Sequence, residues 1–259
     1  MIKATLARLQ QRHRTIRYPD APPPALPDRF RGRPVIDTAA CPGGCRACEA
    51  ACPTGALGRE HPDGIDLGRC LFCGACAAAC PRQAITFARG YQLAARAREA
   101  LVVPRGKSAE AVAAAALDAR FRRLFGRSLK LRQVSAGGCG ACEADSNVLT
   151  TVGWDLSRFG IQFVASPRHA DGLLVTGPVT RNMALALRKT YEAVSDPRLV
   201  IAVGACAISG GVFRGLPESG DGVGSLLRVD LHVPGCPPHP LTILDGLLRL
   251  IGRIEEGRR

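Results

Sequence analysis

The sequence predicts an α/β protein in two parts: a small α+β unit that gathers cysteines, then a larger domain built on a mostly parallel sheet. Three observations predict it. Two runs of four cysteines, each closed by a proline, lie close together in the first third of the 259-residue chain. From residue 129 onward, short β-rich segments alternate with helical ones. The last four of the twelve cysteines fall where those β-rich segments end.

Alternation of short apolar runs with helical stretches reads as parallel strands covered by helices. Strands are expected at LKLRQV (129–134), IQFVA (161–165), GLLVT (172–176), LVIAVG (199–204) and VDLHV (229–233), with helices near 143–152, 180–194 and 239–255. In such a flavodoxin-like α/β domain the loops at the carboxyl ends of the strands carry the site. Cys139 and Cys142 follow the first strand, Cys206 the fourth and Cys236 the fifth, so four thiols from three loops converge.

The cysteine unit is read from spacing. GRCLFCGACAAACPRQAI (68–85) sets Cys70, Cys73 and Cys76 two residues apart, with Cys80 further on and Pro81 after it. The first three can wrap one inorganic core, while the fourth is free to reach elsewhere. This is the bacterial ferredoxin run, whose fourth cysteine ligates the other cluster of a two-cluster domain. ACPGGCRACEAACPTGAL (40–57) supplies the companion run: Cys41, Cys45, Cys48, Cys52, then Pro53, an internal duplication with a period of about thirty residues. One 4Fe-4S cluster is therefore expected on Cys41, Cys45, Cys48 and Cys80, and a second on Cys70, Cys73, Cys76 and Cys52. The first gap holds Pro42, Gly43 and Gly44 rather than two residues, so the loop must bulge, which two glycines make easy. The expected organisation is a weakly amphipathic helix over 1–17 and a proline-rich arm to residue 34, a 2×4Fe-4S ferredoxin-like α+β domain at 35–104, a helical connector at 105–128 in which Ser108 caps and Gly126 ends the helix, and the α/β domain at 129–259.

Composition narrows the function classes. The N-terminus has no continuous apolar stretch of the signal-peptide kind and no window is apolar enough to span a bilayer, so a cytoplasmic protein is expected. Twelve cysteines under reducing conditions argue for metal rather than disulfides. The formal charge of +13 counts them as neutral. Three oxidised four-thiolate 4Fe-4S clusters, at about two negative charges each, would bring it to about +7. The basic residues are scattered and no nucleic-acid module is present, so no nucleic-acid partner is expected. Zinc also accepts Cys-x-x-Cys and would make the unit a structural module. The x2-x2-x3-Pro run is poor ribbon spacing and good cluster spacing.

GGCGACEAD, SPRHADGLLVTGPVTRNM, GACAISGGVF and VPGCPPHP resemble the small, cluster-bearing subunit shared by complex I and membrane-bound, energy-converting nickel-iron hydrogenases, formate hydrogenlyase included. YPDAPPPALPDRFRGRP and LGRCLFCGAC resemble the two-cluster ferredoxin subunit of the same complexes. The chain thus looks like a fusion of two subunits that are normally separate. Complex I uses a tandem Cys-Cys at the first part of the motif, whereas Cys139-x-x-Cys142 has the hydrogenase form. The resemblance implies that Cys139, Cys142, Cys206 and Cys236 hold the proximal 4Fe-4S cluster, giving three clusters in all. It implies as partners a hydrogenase-type large subunit, an upstream iron-sulfur donor module and membrane-arm subunits, with the protein peripheral on the cytoplasmic face of the inner membrane. Gly140-Ala141 replaces Asn-Gly between the cysteines, and Asp145 stands where glutamate is usual, which leaves Glu143 as the candidate acidic group beside the cluster. Arg168 has two readings, a cation beside the proximal cluster or a surface arginine. His169 and His239 read as solvated or loop-capping, and Trp154 as core. The expected role is electron relay, with no catalytic residue on the chain. Alternatives are a nickel-free complex I-like quinone reductase and a free-standing ferredoxin-like carrier.

Overall fold

The computed structural model describes residues 2–11, 14–41, 45–58, 64–106, 116, 119–126 and 128–254. Helix α1 (Ile2–Gln11) is shorter than the amphipathic segment suggests, and its apolar residues Ile2, Leu6 and Leu9 are all exposed. The arm that follows is extended but not a free spacer. Ile16 N–H donates to Gly153 O at 2.8 Å, and the Arg158 guanidinium donates to Tyr18 O at 2.8 Å. Tyr18 itself is buried, its ring edge-on to Tyr91.

The duplication is visible as structure. Strand β1 (Pro34–Ile36) pairs antiparallel with β3 (Ile85–Phe87), and β2 (Gly64–Asp66) with β4 (Val102–Pro104). Each half has a short helix, α2 (Ala47–Ala50) and α3 (Ala75–Ala79), and the two pack together. Each helix carries the third cysteine of its run, Cys48 or Cys76, and the fourth lies just past its end. A helix α4 (Ala119–Phe125) closes the connector, with Gly126 N–H donating to Arg122 O at 2.8 Å. The rest of the alanine-rich stretch, Ser108 included, lies outside the described residues apart from Ala116.

The larger domain runs β5 (Leu129–Ser135), α5 (Ala141–Val148), β6 (Ile161–Phe163), β7 (Gly172–Thr176), α6 (Arg181–Glu192), β8 (Leu199–Val203), α7 (Ala205–Ser209), β9 (Leu231–Val233) and α8 (Pro240–Leu250). All neighbouring strands are parallel, in the order β6-β5-β7-β8-β9. Counted within the domain this is 2-1-3-4-5, the flavodoxin-like order. Strands β7 and β8 are buried at every residue because helices cover both sheet faces. The edge strands β6 and β9 are three residues each, shorter than their apolar runs. Beyond β6, Val164 N–H still donates to Leu131 O before the chain turns at Pro167.

The two units share a seam. Ala95 and His232 exchange both backbone hydrogen bonds, at 3.0 and 2.8 Å, so the first unit extends the sheet past β9. Ala94 packs on α8 at Gly246, where a Cβ would come within 2.8 Å of the Ala94 methyl. The glycine inside α8 is there for that close approach. Among the described residues no helix is long and apolar enough to cross a membrane.

Candidate metal centres

Cys41, Cys45, Cys48 and Cys80 line one cavity, together with Ile36, Ile85, Arg82 and Arg105. Cys41 is delivered by a turn after β1, its N–H donating to Asp37 O at 3.0 Å, while the Asp37 carboxylate accepts from Ala39 N–H at 2.9 Å. Cys80 comes from the other run, and its sulfur accepts the Ala84 N–H at 3.3 Å. Burial pushes the Cys48 thiol up, against the lowering charge of Arg105. The bulge at Pro42–Gly44 lies outside the described residues.

Cys52, Cys70, Cys73 and Cys76 line a second cavity, whose other walls are Pro34, Pro53, Ile65 and Phe87 among uncharged residues. Cys70 is pushed up to about 12 by burial, with the thiols of Cys76, Cys52 and Cys73 acting in the same sense. Its sulfur accepts the Phe72 N–H at 3.3 Å. Burial also acts on Cys52. There the N–H groups of Thr54, Leu57 and Ala56 and the Thr54 hydroxyl outweigh it and leave the thiol below its ordinary value. The loop into Cys70 is fixed by Asp66, fully buried, whose carboxylate accepts from both Arg98 Nη atoms at 2.8 and 2.6 Å and from Gly68 N–H at 2.9 Å.

The third set comes from the carboxyl ends of β5, β8 and β9. Cys139 precedes α5 and Cys142 lies in its first turn, Cys206 lies in α7, and Cys236 follows β9. Two glycines at positive φ make room for sulfur. A Cβ on Gly204 would stand 2.5 Å from Cys142 Sγ, and one on Gly211 would stand 2.8 Å from Cys206 Sγ. Burial drives the Cys142 thiol far above its usual range and Cys206 to about 11. Cys139 and Cys236 are exposed, so this set opens to the surface.

The sets are chained. Cys76 of the second feels the charge of Cys48 in the first, and Cys236 of the third feels Cys73 of the second. A direct tie runs from α7 to the Cys70 loop, where the Ser209 hydroxyl donates to Gly68 O at 2.9 Å.

The donor chemistry suits iron-sulfur clusters. Each set is four cysteines around a cavity or at one sheet edge, with backbone N–H groups already on two of the sulfurs. The raised thiols mean that protons must leave as a metal cluster binds.

Glu143 is held by two hydroxyls, Ser135 at 2.5 Å and Thr176 at 2.6 Å. Burial would raise its carboxyl, but these bonds outweigh it and keep the group below the ordinary carboxylate range. Burial alone raises Asp145. Arg168 is exposed on the turn Pro167–His169, and the leading charges on Cys142, Cys206 and Cys236 are cysteines and Glu143. His169 is exposed, whereas His239 caps α8, its Nδ1 accepting from Leu241 N–H at 3.1 Å. Trp154 packs on the core partly buried. Sequence reasoning missed Arg105 and the Asp66–Arg98 pair. Nothing local marks them among 35 basic residues.

Residues 139–250 match the family model for the 20 Kd subunit of NADH ubiquinone oxidoreductase, and residues 40–85 match that for a 4Fe-4S dicluster domain. The chain is 40% identical over 138 residues to the probable membrane-bound hydrogenase subunit mbhJ of Pyrococcus furiosus, covering 53% of this chain and 83% of that one. It is 38% identical over 142 residues to formate hydrogenlyase subunit 7 of Escherichia coli, covering 55% and 56% respectively. It is also 42% identical over 113 residues to an NADH-quinone oxidoreductase subunit of Desulfovibrio desulfuricans, covering 44% and 61%. The chain therefore belongs to the family of the 20 kDa subunit of NADH ubiquinone oxidoreductase and its hydrogenase counterparts, with a 4Fe-4S dicluster domain fused in front of it, and is an iron-sulfur subunit of an oxidoreductase complex.

Proposed function

We propose that the chain relays electrons to or from the large catalytic subunit of a membrane-associated nickel-iron hydrogenase of the formate hydrogenlyase type. The observation that carries this reading is the Cys139-x-x-Cys142 pair after β5, in the hydrogenase form, on a chain that also holds the two-cluster domain. Cys41, Cys45, Cys48 and Cys80 hold one 4Fe-4S cluster, Cys52, Cys70, Cys73 and Cys76 a second, and Cys139, Cys142, Cys206 and Cys236 a third. Bound there, the clusters supply one-electron carriers.

The rest is the work of the chain's own residues. Backbone N–H groups of Phe72 and Ala84 aim at ligand sulfurs, and Gly204 and Gly211 let the backbone close on the third set. The Asp66–Arg98 pair and the Ser209–Gly68 bond hold the second and third sets in fixed relation. The exposed Cys139 and Cys236, with the exposed Val212 and Leu216 beyond Cys206, form the face that a large subunit covers. Electrons enter at the first set from a formate- or carbon-monoxide-oxidising module or a soluble ferredoxin, and membrane-arm subunits hold the assembly peripherally at the cytoplasmic face of the inner membrane.

Anaerobically purified protein should carry about twelve iron and twelve acid-labile sulfide per chain if three cubanes are present. Co-expressed with its large subunit it should co-purify with nickel, and Cys139→Ser should abolish hydrogen evolution. Zinc without sulfide would end the cluster reading. The similarity to the NADH-quinone oxidoreductase subunit favours one second reading, a complex I-like quinone reductase, and a large subunit purified without nickel would select it. No co-purifying large subunit would leave a free-standing carrier.

A further inference from the structure

We propose that Arg105 sets the reduction potential of the cluster on Cys41, Cys45, Cys48 and Cys80, by holding a partly buried guanidinium, its Nε sealed from solvent, against it and so separating two clusters that the duplication would otherwise make alike. This rests on the ligand sets proposed above.

Arg105 follows β4, whose Val103 is buried and in register with Ile65 of β2. The strand pair therefore fixes where the side chain starts. The side chain lines the cavity formed by the four cysteines, and its charge acts on Cys48. Its Nε is sealed from solvent and has no hydrogen-bond partner among the described residues. A guanidinium N–H shut away from water needs an acceptor. The acceptors this cavity would offer are the thiolate and sulfide sulfurs of its cluster. The second cavity differs. Where the first has Arg105 just past β4, the second has Phe87 at the end of β3, and no charged side chain lines it.

Reduction by a one-electron donor adds one negative charge to a cluster. A fixed cation in a poorly solvated site favours that reduced state and raises the potential. The first cluster is then the easier of the two to reduce, so an electron arriving at the outer end of the chain of sites is held there until the next site accepts it. Arg82 lines the same cavity but is exposed, and solvent and salt screen its charge. It serves as an internal control.

The test is a potentiometric titration of the full chain, loaded anaerobically with iron and sulfide and followed by electron paramagnetic resonance. Cys48→Ser and Cys80→Ser first identify the signal of the first cluster. If those two substitutions remove different signals, the ligand reading fails, independently of Arg105. Arg105→Leu should lower the reduced-to-oxidised ratio of the first signal about tenfold at fixed potential, which for one electron is about 59 mV. Arg105→Lys should keep most of the wild-type value, Arg82→Leu should shift the signal less than Arg105→Leu, and the other two signals should hold still. Arg105→Gln keeps an N–H but no charge and should shift like Leu, and it decides the matter should the Leu variant fail to hold iron. An unshifted first signal at full iron content in Arg105→Gln, or an equal shift of both dicluster signals, overturns the proposal.

Discussion

The two halves of this chain gather sulfur in opposite ways. The N-terminal unit takes eight cysteines from two runs, each within twelve residues, wound about helices of four and five residues. The C-terminal domain takes four from positions 139 to 236, and only the register of the four parallel strands β5, β7, β8 and β9 brings them together. The first arrangement is written in local spacing, and the metal core must organise much of it. The second is a product of a sheet whose strands β7, β8 and β9 are buried on both faces. The difference predicts which half depends on its cofactor.

Cluster removal should break the symmetry most. Chelation under reducing conditions should collapse the 35–104 unit, whose strands are three residues each and whose cavities are lined by cysteines, because on the proposed cluster assignment binding free energy there is folding free energy. The sheet and α8 should persist, so circular dichroism should keep most of its helical signal while limited proteolysis cuts between residues 35 and 104. Resistance of that unit to proteolysis in the iron-free protein would refute the contrast.

The reverse lesion is Gly204→Ala. The new methyl would stand 2.5 Å from Cys142 Sγ at a backbone φ of +92° that alanine tolerates poorly. The expected result is loss of the third cluster alone, with iron falling from about twelve to about eight per chain. Gly74→Ala is the matched change in the other half, also at positive φ, where the nearest atom is Arg31 Nε at 3.3 Å, the end of a flexible side chain. Iron should stay near the wild-type content in that variant.

The same contrast explains what the sequence made legible. GLLVT and LVIAV were readable as strands because burial on both faces leaves no charged position in them, and the cysteine runs because their members are neighbours in the chain. The runs at 161–165 and 229–233 overstate β6 and β9, each of which pairs with its neighbour in the sheet over three residues only. Arg105, Gly246 and Tyr18 carried no local signal. Each matters through a residue across the fold, and for Tyr18 that residue is 227 positions away. The arm read only as proline-rich, and the tyrosine that anchors it looked like any other.

That anchor gives the next prediction, at the seam between the halves. Tyr18 OH donates to Asp245 Oδ1 at 2.5 Å inside α8, where Arg249 Nε also donates to both carboxylate oxygens at 3.1 and 2.9 Å. Tyr18→Phe removes one donor to a buried carboxylate and leaves the arginine. A loss of about 1–2 kcal/mol in urea unfolding is expected, with earlier proteolysis in residues 14–33. Unchanged stability would mean that Arg249 alone satisfies Asp245.

The smallest effect is expected at His232, where β9 meets Ala95. The residue is 7% exposed, and burial, with the charge of Arg98 acting the same way and Glu99 opposing it, holds its imidazole below the ordinary histidine value. Its folded pKa lies under its unfolded one, so the unfolded chain binds the proton first as pH falls. The neutral side chain therefore contributes its full stability above about pH 6.5 and loses it as pH drops toward the folded value, at no more than about 1.4 kcal/mol per pH unit. Acid also threatens thiolate ligands, so the quantity to measure is the difference between wild type and His232→Asn in urea midpoint from pH 7.5 to 5.5. Wild type should lose up to about 1 kcal/mol more than the variant over that range. Parallel curves would place the acid sensitivity in the cysteine sets rather than in the His232 side chain at the seam.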